Sequence, residues 1–93
     1  MTVPREHTRT YYLGKLAREL ELRGMSAVLR PDPPSLKVSD PEAALMTETV
    51  HCVAVDGGWA YRWSWGDVVG GVDDAAGAAE RISRVLSAPR RPF

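Results

Sequence analysis

Residues 48–65, ETVHCVAVDGGWAYRWSW, decide the fold, because they have the pattern of two β-strands joined by a tight turn. In the second half, aromatic residues occupy every other position, so in an extended chain their rings share one face. These residues are Trp59, Tyr61, Trp63 and Trp65. A helix would scatter the same rings around its axis, whereas aromatic and β-branched residues suit a pleated surface. The stretch therefore predicts a β-hairpin.

The glycines in the middle of this stretch predict the turn. A two-residue turn at Asp56-Gly57 or at Gly57-Gly58 is favoured, because glycine supplies positive φ values and such loops are the commonest in hairpins. Either version places small apolar residues across from the rings: Val50, Cys52 and Ala54. A three-residue loop would instead bring the other face of the first strand opposite the rings.

Two amphipathic helices are predicted to flank the strands. Over residues 7–23, apolar residues recur at spacings of three and four, and Gly24 suits the left-handed position just past the helix end. A second apolar stripe follows Asp73, the predicted N-cap, and Pro89 is expected to end that helix. Each helix should therefore bury one side.

The remaining segments predict two short strands, a helical turn and a loop. Residues 26–30 and 35–39 have the alternation of strands. Residues 40–46 begin with Asp-Pro-Glu, which is typical of a cap followed by proline at the first helical position, so they predict a short helical turn. Residues 66–72 are rich in glycine and are expected to form a loop.

This order of elements predicts an α+β fold with a four-stranded, mainly antiparallel sheet. The N-terminal and C-terminal helices pack on one face of that sheet, which gives a two-layer sandwich with the order α-β-β-β-β-α. We expect one domain over residues 7–88, with flexible tails at residues 1–6 and 89–93.

Composition narrows the function. Twelve basic and twelve acidic residues give a net charge of zero, which argues against a protein that binds mainly by neutralising phosphates, so a nucleic-acid partner is not favoured. The chain has no apolar run of membrane-spanning length and no apolar core of a signal peptide, which predicts a cytoplasmic protein without a membrane partner. The single Cys52 excludes an internal disulfide.

The patterns of catalytic and metal sites are missing from the sequence. His51 and Cys52 are neighbours in a strand and point to opposite faces, so they do not predict a Cys-His nucleophile. Ser64 lacks the flanking glycine of a nucleophile elbow, and Asp73 and Asp74 would repel a phosphate at the last helix. We predict no catalytic residue, no metal ligand and no cofactor, and an enzyme is not favoured.

The aromatic strand supplies the candidate binding residues: Trp59, Tyr61, Arg62, Trp63 and Trp65. Two interpretations of the rings remain open. They could fill the core beneath helices whose own residues are mostly small, or some of them could face outward as a surface for a protein, a sugar or a base.

The leading hypothesis is a non-enzymatic accessory or regulatory domain that binds a larger protein through the open face or an edge of the sheet. Both faces of strand 48–55 carry apolar residues, so a partner or a second copy in a homodimer is expected to cover part of the open face. The alternative is a small-ligand module in which Trp63, Trp65 and Arg62 line a pocket with the loop at 66–72, using the rings for stacking.

The run WAYRWSWG at residues 59–66 follows a cysteine-containing strand and precedes an alanine-rich helix with aspartates at its start. In this arrangement the chain resembles small single-domain actinobacterial proteins of unknown function. The resemblance implies a soluble cytoplasmic accessory protein in regulation or specialised metabolism, and it assigns no functional residue.

Overall fold

The computed structural model describes residues 5–31 and 33–87 of the 93-residue chain. Its elements, in chain order, are helix α1 (Arg5–Leu22), strands β1 (Ser26–Pro31), β2 (Pro34–Asp40), β3 (Ala43–Val55), β4 (Gly58–Trp63) and β5 (Val68–Gly71), a 3₁₀ turn (Val72–Asp74) and helix α2 (Ala75–Ser87). The predicted tails, apart from residues 5 and 6 at the start of α1, and the predicted stop at Pro89 lie outside the described residues.

The five strands form one antiparallel sheet in which each strand pairs with its neighbour in the chain, in the order β1-β2-β3-β4-β5. The two helices contact each other, α1 also contacts β1, β2 and β3, and α2 contacts β2, β3 and β5. The α+β class and the antiparallel sheet are therefore as predicted. Because every strand is joined to the next by a short turn, neighbours along the chain are also neighbours in the sheet.

The core lies between the helices and one face of the sheet. Leu13, Leu16 and Leu20 of α1 are fully buried, one helical turn after another, as the predicted stripe requires. The other buried apolar residues include Leu36, Val38, Val50, Cys52, Tyr61, Trp63, Ala78, Ala79, Ile82 and Leu86. On β2, β3 and β4 these residues alternate with more exposed ones, except that the small Ala60 beside Tyr61 is also buried, so one face of the sheet packs against the helices and the other is open.

The predicted number of strands is wrong, because the sheet has five. Residues 68–71, which were expected to lie within a loop, form β5 and pair with β4. The chain reverses between the two strands, where Gly66 has a φ of 116° and the Trp63 amide donates to the Asp67 carbonyl over 2.8 Å. Val68 and Val69 favour an extended backbone, and pairing satisfies their peptide groups more fully than a solvated loop would.

The predicted helical turn at residues 40–46 is also wrong. The Asp40 carboxylate accepts a hydrogen bond from the Glu42 amide over 2.9 Å, and Asp40 pairs directly with Ala43. These contacts make a tight turn, after which the chain continues as the 13-residue strand β3. A one-turn helix is costly to nucleate, whereas extension of β3 adds ladder hydrogen bonds at once.

The C-terminal end of α1 follows the capping prediction, whereas the cap of α2 is shifted by one residue. Gly24 has a φ of 84°, and the Met25 amide donates to the Leu20 carbonyl over 3.0 Å, as in a Schellman motif. At α2, the carboxylate that accepts a backbone hydrogen bond is that of Asp74, which binds the Gly77 amide over 3.1 Å. The predicted cap, Asp73, is one residue too early because the chain enters α2 through a 3₁₀ turn.

The central hairpin has the predicted two-residue turn at Asp56-Gly57, closed by the pair Val55 and Gly58. Gly57 has a φ of 82°, a conformation that costs alanine roughly 1 kcal/mol or more. We expect Gly57→Ala to lower the free energy of unfolding by about 1 to 2 kcal/mol in urea denaturation.

Gly58→Ala is the matched control for this prediction, because Gly58 has no positive φ and an added Cβ would meet no atom within 4 Å. Its expected effect is within about 0.5 kcal/mol. Equal losses at the two positions would contradict the account of the turn.

Candidate functional site

The aromatic side chains of β4 point toward the helices. In the register of the hairpin, Trp63 pairs with Val50 and Tyr61 with Cys52, as the two-residue turn predicts. Tyr61 has no exposed surface and Trp63 is 6% exposed. The Tyr61 hydroxyl donates a hydrogen bond of 2.7 Å to the Tyr12 carbonyl oxygen, so its polar atom is satisfied inside the core. These two candidate residues offer almost no surface to a partner.

Trp59 and Trp65 are more accessible. Trp59 is half-buried, with the Arg9 guanidinium 5.7 Å from its ring centre. Trp65 is 52% exposed and stacks on Trp63 with ring centres 4.6 Å apart, while its indole N–H donates to the Asp67 carboxylate over 3.1 Å. Only part of the predicted aromatic surface is therefore available for contact.

Arg62 lies on the other face of the sheet. It pairs with His51 on β3 and with Val68 on β5. Because neighbouring strand residues alternate between faces, Arg62 points away from Trp63. The structure thus does not bring together the three side chains that the small-ligand alternative requires, namely Trp63, Trp65 and Arg62.

The candidate site that emerges is the open face, which we define as the strand positions that point away from the helices. Its members are Ser26, Val28, Arg30, Ser35, Lys37, Ser39, Thr47, Thr49, His51, Val53, Val55, Ala60, Arg62 and Val68. Three of these residues carry a full charge, and all three are basic. None of the listed positions holds a carboxylate, although the whole chain is electrically neutral.

The register places several of these side chains in one row. Arg30 pairs with Ser35 and His51 pairs with Arg62, and the pairing of Leu36 with Val50 sets Ser35 level with His51. The row therefore crosses four strands, and strands lie about 4.8 Å apart. Lys37 extends this basic patch, because it lies two residues along β2 from Ser35 on the same face.

The three basic side chains are free for a partner. Arg30, Lys37 and Arg62 are exposed, and within residues 5–31 and 33–87 none of them has a hydrogen bond or an ion pair from its side chain. The ion pairs found in those residues join Glu19 of α1 to Arg23, just past the helix end, and Glu80 to Arg84 within α2. Their charges are consequently available to an anionic surface.

Acidic residues of the described chain lie off the open face. They occupy helices, turns, the last position of β2 at Asp40 and, for Glu48, the side of β3 that faces the helices, where it pairs with Val38. The others include Glu19, Glu21, Asp40, Glu42, Asp56, Asp67, Asp73, Asp74 and Glu80. This segregation produces a positive sheet face on a protein without net charge.

Sequence reasoning found Arg62 but missed Arg30, Lys37 and His51 as parts of one surface. The sequence signal for this surface was the regular alternation of apolar and polar residues in residues 26–30 and 35–39. Basic residues on separate strands can be assigned to one surface only when the strand order and the register are known. The sequence shows neither.

Cys52 and His51 point to opposite faces. Cys52 is 2% exposed, and burial raises the pKa of its thiol from 9.0 to about 11, although the positive charge of Arg9 opposes the rise. Burial, with smaller contributions from Cys52 and Tyr12, also raises the pKa of Tyr61 above its usual 10. Both groups are therefore neutral at physiological pH, and the thiol is not activated as a nucleophile.

These pKa directions predict alkaline destabilisation. Because each folded pKa lies above the unfolded value, the native state keeps a proton that the unfolded state loses. The contribution of Cys52 is therefore fully present below about pH 9 and is lost by about pH 11, and that of Tyr61 is lost from about pH 10 upward, each by at most about 1.4 kcal/mol per pH unit. Urea denaturation across this range measures the slope.

Cys52→Ala serves as the control for the alkaline slope. It should reduce the loss of stability between pH 9 and 10, where the tyrosine contributes least. A slope identical to that of the wild type would show that the thiol does not titrate as described.

In the described part of the chain, no group of three or more His, Cys, Asp or Glu side chains is placed to hold a metal ion. No helix in residues 5–31 and 33–87 is long and apolar enough to cross a membrane. Comparison of the chain with protein families, with curated proteins and with solved structures found no match.

Proposed function

We propose that this protein is a non-enzymatic interaction domain whose open face binds an acidic segment of a larger protein. The observation that carries the proposal is the set of three exposed basic residues, Arg30, Lys37 and Arg62, whose charges are unpaired among the described residues. Positive and negative surfaces attract and orient each other, which supports specificity and fast association. The accessory role and the cytoplasmic location remain part of the proposal.

The mixture of side chains on the open face suits a protein partner. Arginine is enriched in the centres of protein interfaces, where its guanidinium binds carboxylates and its stem packs on apolar surface. Val28 pairs with Lys37 and Val68 pairs with Arg62, and both valines are exposed, so they supply apolar area beside the basic residues. Serine and threonine hydroxyls on the same face add hydrogen-bond donors.

A protein partner is favoured over single-stranded nucleic acid. Sheets that bind single strands stack bases on aromatic side chains of the exposed face. Here Trp59, Tyr61 and Trp63 lie on the helix side, and the open-face positions hold no Phe, Tyr or Trp. Trp65 is exposed but stacks on Trp63, so no ring lies among the open-face charges, and these charges fit carboxylates better than bases.

Self-association through two open faces is not favoured, because a symmetric contact would place the basic residues of the two copies against each other. The predicted homodimer is therefore proposed only through the outer edges of β1 and β5, which pair with one strand each.

The test uses a fluorescein-labelled oligoglutamate peptide and fluorescence anisotropy. We expect saturable binding that weakens as salt rises, because exposed charges are screened. The triple variant R30Q/K37Q/R62Q should bind at least tenfold more weakly. The control K15Q/R18Q/R84Q removes the same charge from the helices, and its affinity should stay within about twofold of the wild type.

Two outcomes would overturn the proposal. Equal weakening in both triple variants would show that net charge alone drives binding, without a specific face. Tighter binding of an oligo(dT) single strand than of the peptide, with the same dependence on the open-face residues, would reassign the surface to nucleic acid.

A further inference from the structure

A groove of about 320 Å³, which we call the notch, lies where β2 begins beside β3. β2 begins at Pro34, which the register sets level with Cys52, whereas β3 continues to Val55. Residues 53–55 therefore pair only with β4. This gap beside β3 lets side chains of the helix layer and of the open face line the same space.

The lining of the notch combines hydrogen-bond donors and cations with the apolar residues Pro33, Pro34, Cys52 and Val53. Arg9 comes from α1, while His51, Arg62 and Ser64 come from β3, from β4 and from the turn after β4. Its lining includes no Asp or Glu among the described residues. Two guanidinium groups, an imidazole and a hydroxyl can all donate hydrogen bonds to an oxyanion.

Arg9, which lines the notch, has an unsatisfied donor. Its Nε atom is buried and has no hydrogen-bond partner among the described residues, which is uncommon for a buried polar atom. Its guanidinium lies 5.7 Å from the ring centre of Trp59, so a cation–π contact holds it against the core. Because Nε itself is buried, an anion in the notch would bind the terminal nitrogens of this guanidinium, which are not among the buried atoms and have no hydrogen-bond partner among the described residues.

We propose that the notch binds a small molecule through an oxyanion group, either a phosphate or a carboxylate. Arg9 and Arg62 are the main ligand residues, and Ser64 and His51 are additional donors. The planar guanidinium suits this chemistry because it can give two parallel hydrogen bonds to one oxyanion. The notch volume, at the low end for ligand pockets, accommodates the oxyanion with a short organic stem.

This site is separate from the proposed protein-binding function, although Arg62 and His51 belong to both. Arg9 lies in the helix layer and is not on the open face, whereas Arg30 and Lys37 do not line the notch. The two proposals can therefore fail independently.

The test is a titration with inorganic phosphate and, in a second arm, with citrate, against sodium chloride of equal ionic strength. Isothermal titration calorimetry gives the affinity. We expect saturable binding of at least one anion, weakened at least tenfold in Arg9→Gln and in Arg62→Gln. The anion whose binding saturates, phosphate or citrate, identifies phosphate or carboxylate as the preferred group.

Matched variants complete the test. Arg18→Gln removes a charge from the same helix, and Lys37→Gln removes one from the open face, so both should bind within about twofold of the wild type. Arg62 is exposed, so its variant reports on the site even if Arg9→Gln is unstable. No saturable binding of either anion, or equal weakening in Arg18→Gln, would overturn the proposal.

Discussion

Tyr61→Ala is expected to lower the free energy of unfolding by about 3 to 5 kcal/mol, the range for removing a buried aromatic side chain. Tyr61 is fully buried at the centre of β4, between the helices and Cys52 of the neighbouring strand. Alanine would leave a cavity and remove the hydrogen bond to the Tyr12 carbonyl. Domains of this size have a total stability of roughly 5 to 14 kcal/mol, so the loss is severe.

Two controls separate the contributions of Tyr61. Tyr61→Phe keeps the ring and removes the hydroxyl, so it should cost about 1 kcal/mol, the net value of one hydrogen bond. Tyr11→Ala removes a tyrosine that is 59% exposed and should change stability by less than about 1 kcal/mol. Urea denaturation followed by circular dichroism measures all three. A loss below about 1.5 kcal/mol for Tyr61→Ala would contradict the position of this ring in the core.

Reversing the charge of the open face is expected to abolish binding of the acidic peptide. In the variant R30E/K37E/R62E each attractive contact becomes repulsive, and like charges opposed across an interface cost several kcal/mol. We therefore expect affinity to fall more than about 100-fold, since about 1.4 kcal/mol corresponds to a factor of ten. The three positions are exposed, so the melting temperature should remain close to that of the wild type.

The helix-side variant K15E/R18E/R84E carries the same change in net charge. If the open face is the binding surface, this variant should retain binding within about fivefold at physiological salt, where charges more than about 8 Å apart are largely screened. Complete loss of binding in the helix-side variant would show that the peptide responds to the overall charge of the protein.

Much of the fold was predictable because its signals are local. The alternation of rings in residues 59–65 and the glycines beside them define the hairpin, and the aromatic residues face small residues across it as predicted. The helices follow from stripes with a spacing of three and four. Residues 40–46 and 68–71 were assigned wrongly because pairing with a neighbouring strand decides their structure, and local propensity is weak by comparison.

The candidate site was harder to predict than the fold. The alternation in β4 shows that Arg62 and Trp63 lie on opposite faces, but it does not show which face the helices cover. Once the helices cover the rings, Tyr61 and Trp63 belong to the core, and Arg62 becomes part of the open face. Arg30 and Lys37 can be assigned to the open face only from the strand register. That register depends on turns that the sequence does not define.

The central claim is that the open face binds an acidic partner, and amide chemical shifts in the ¹⁵N-labelled protein test it most directly. On titration with oligoglutamate, the account predicts that the largest shifts occur at Lys37, Thr49, His51 and Arg62, which are neighbours on the open face. The amides of the helices should change little. Shifts concentrated on α1 or α2, with the open-face amides unchanged, would contradict the claim.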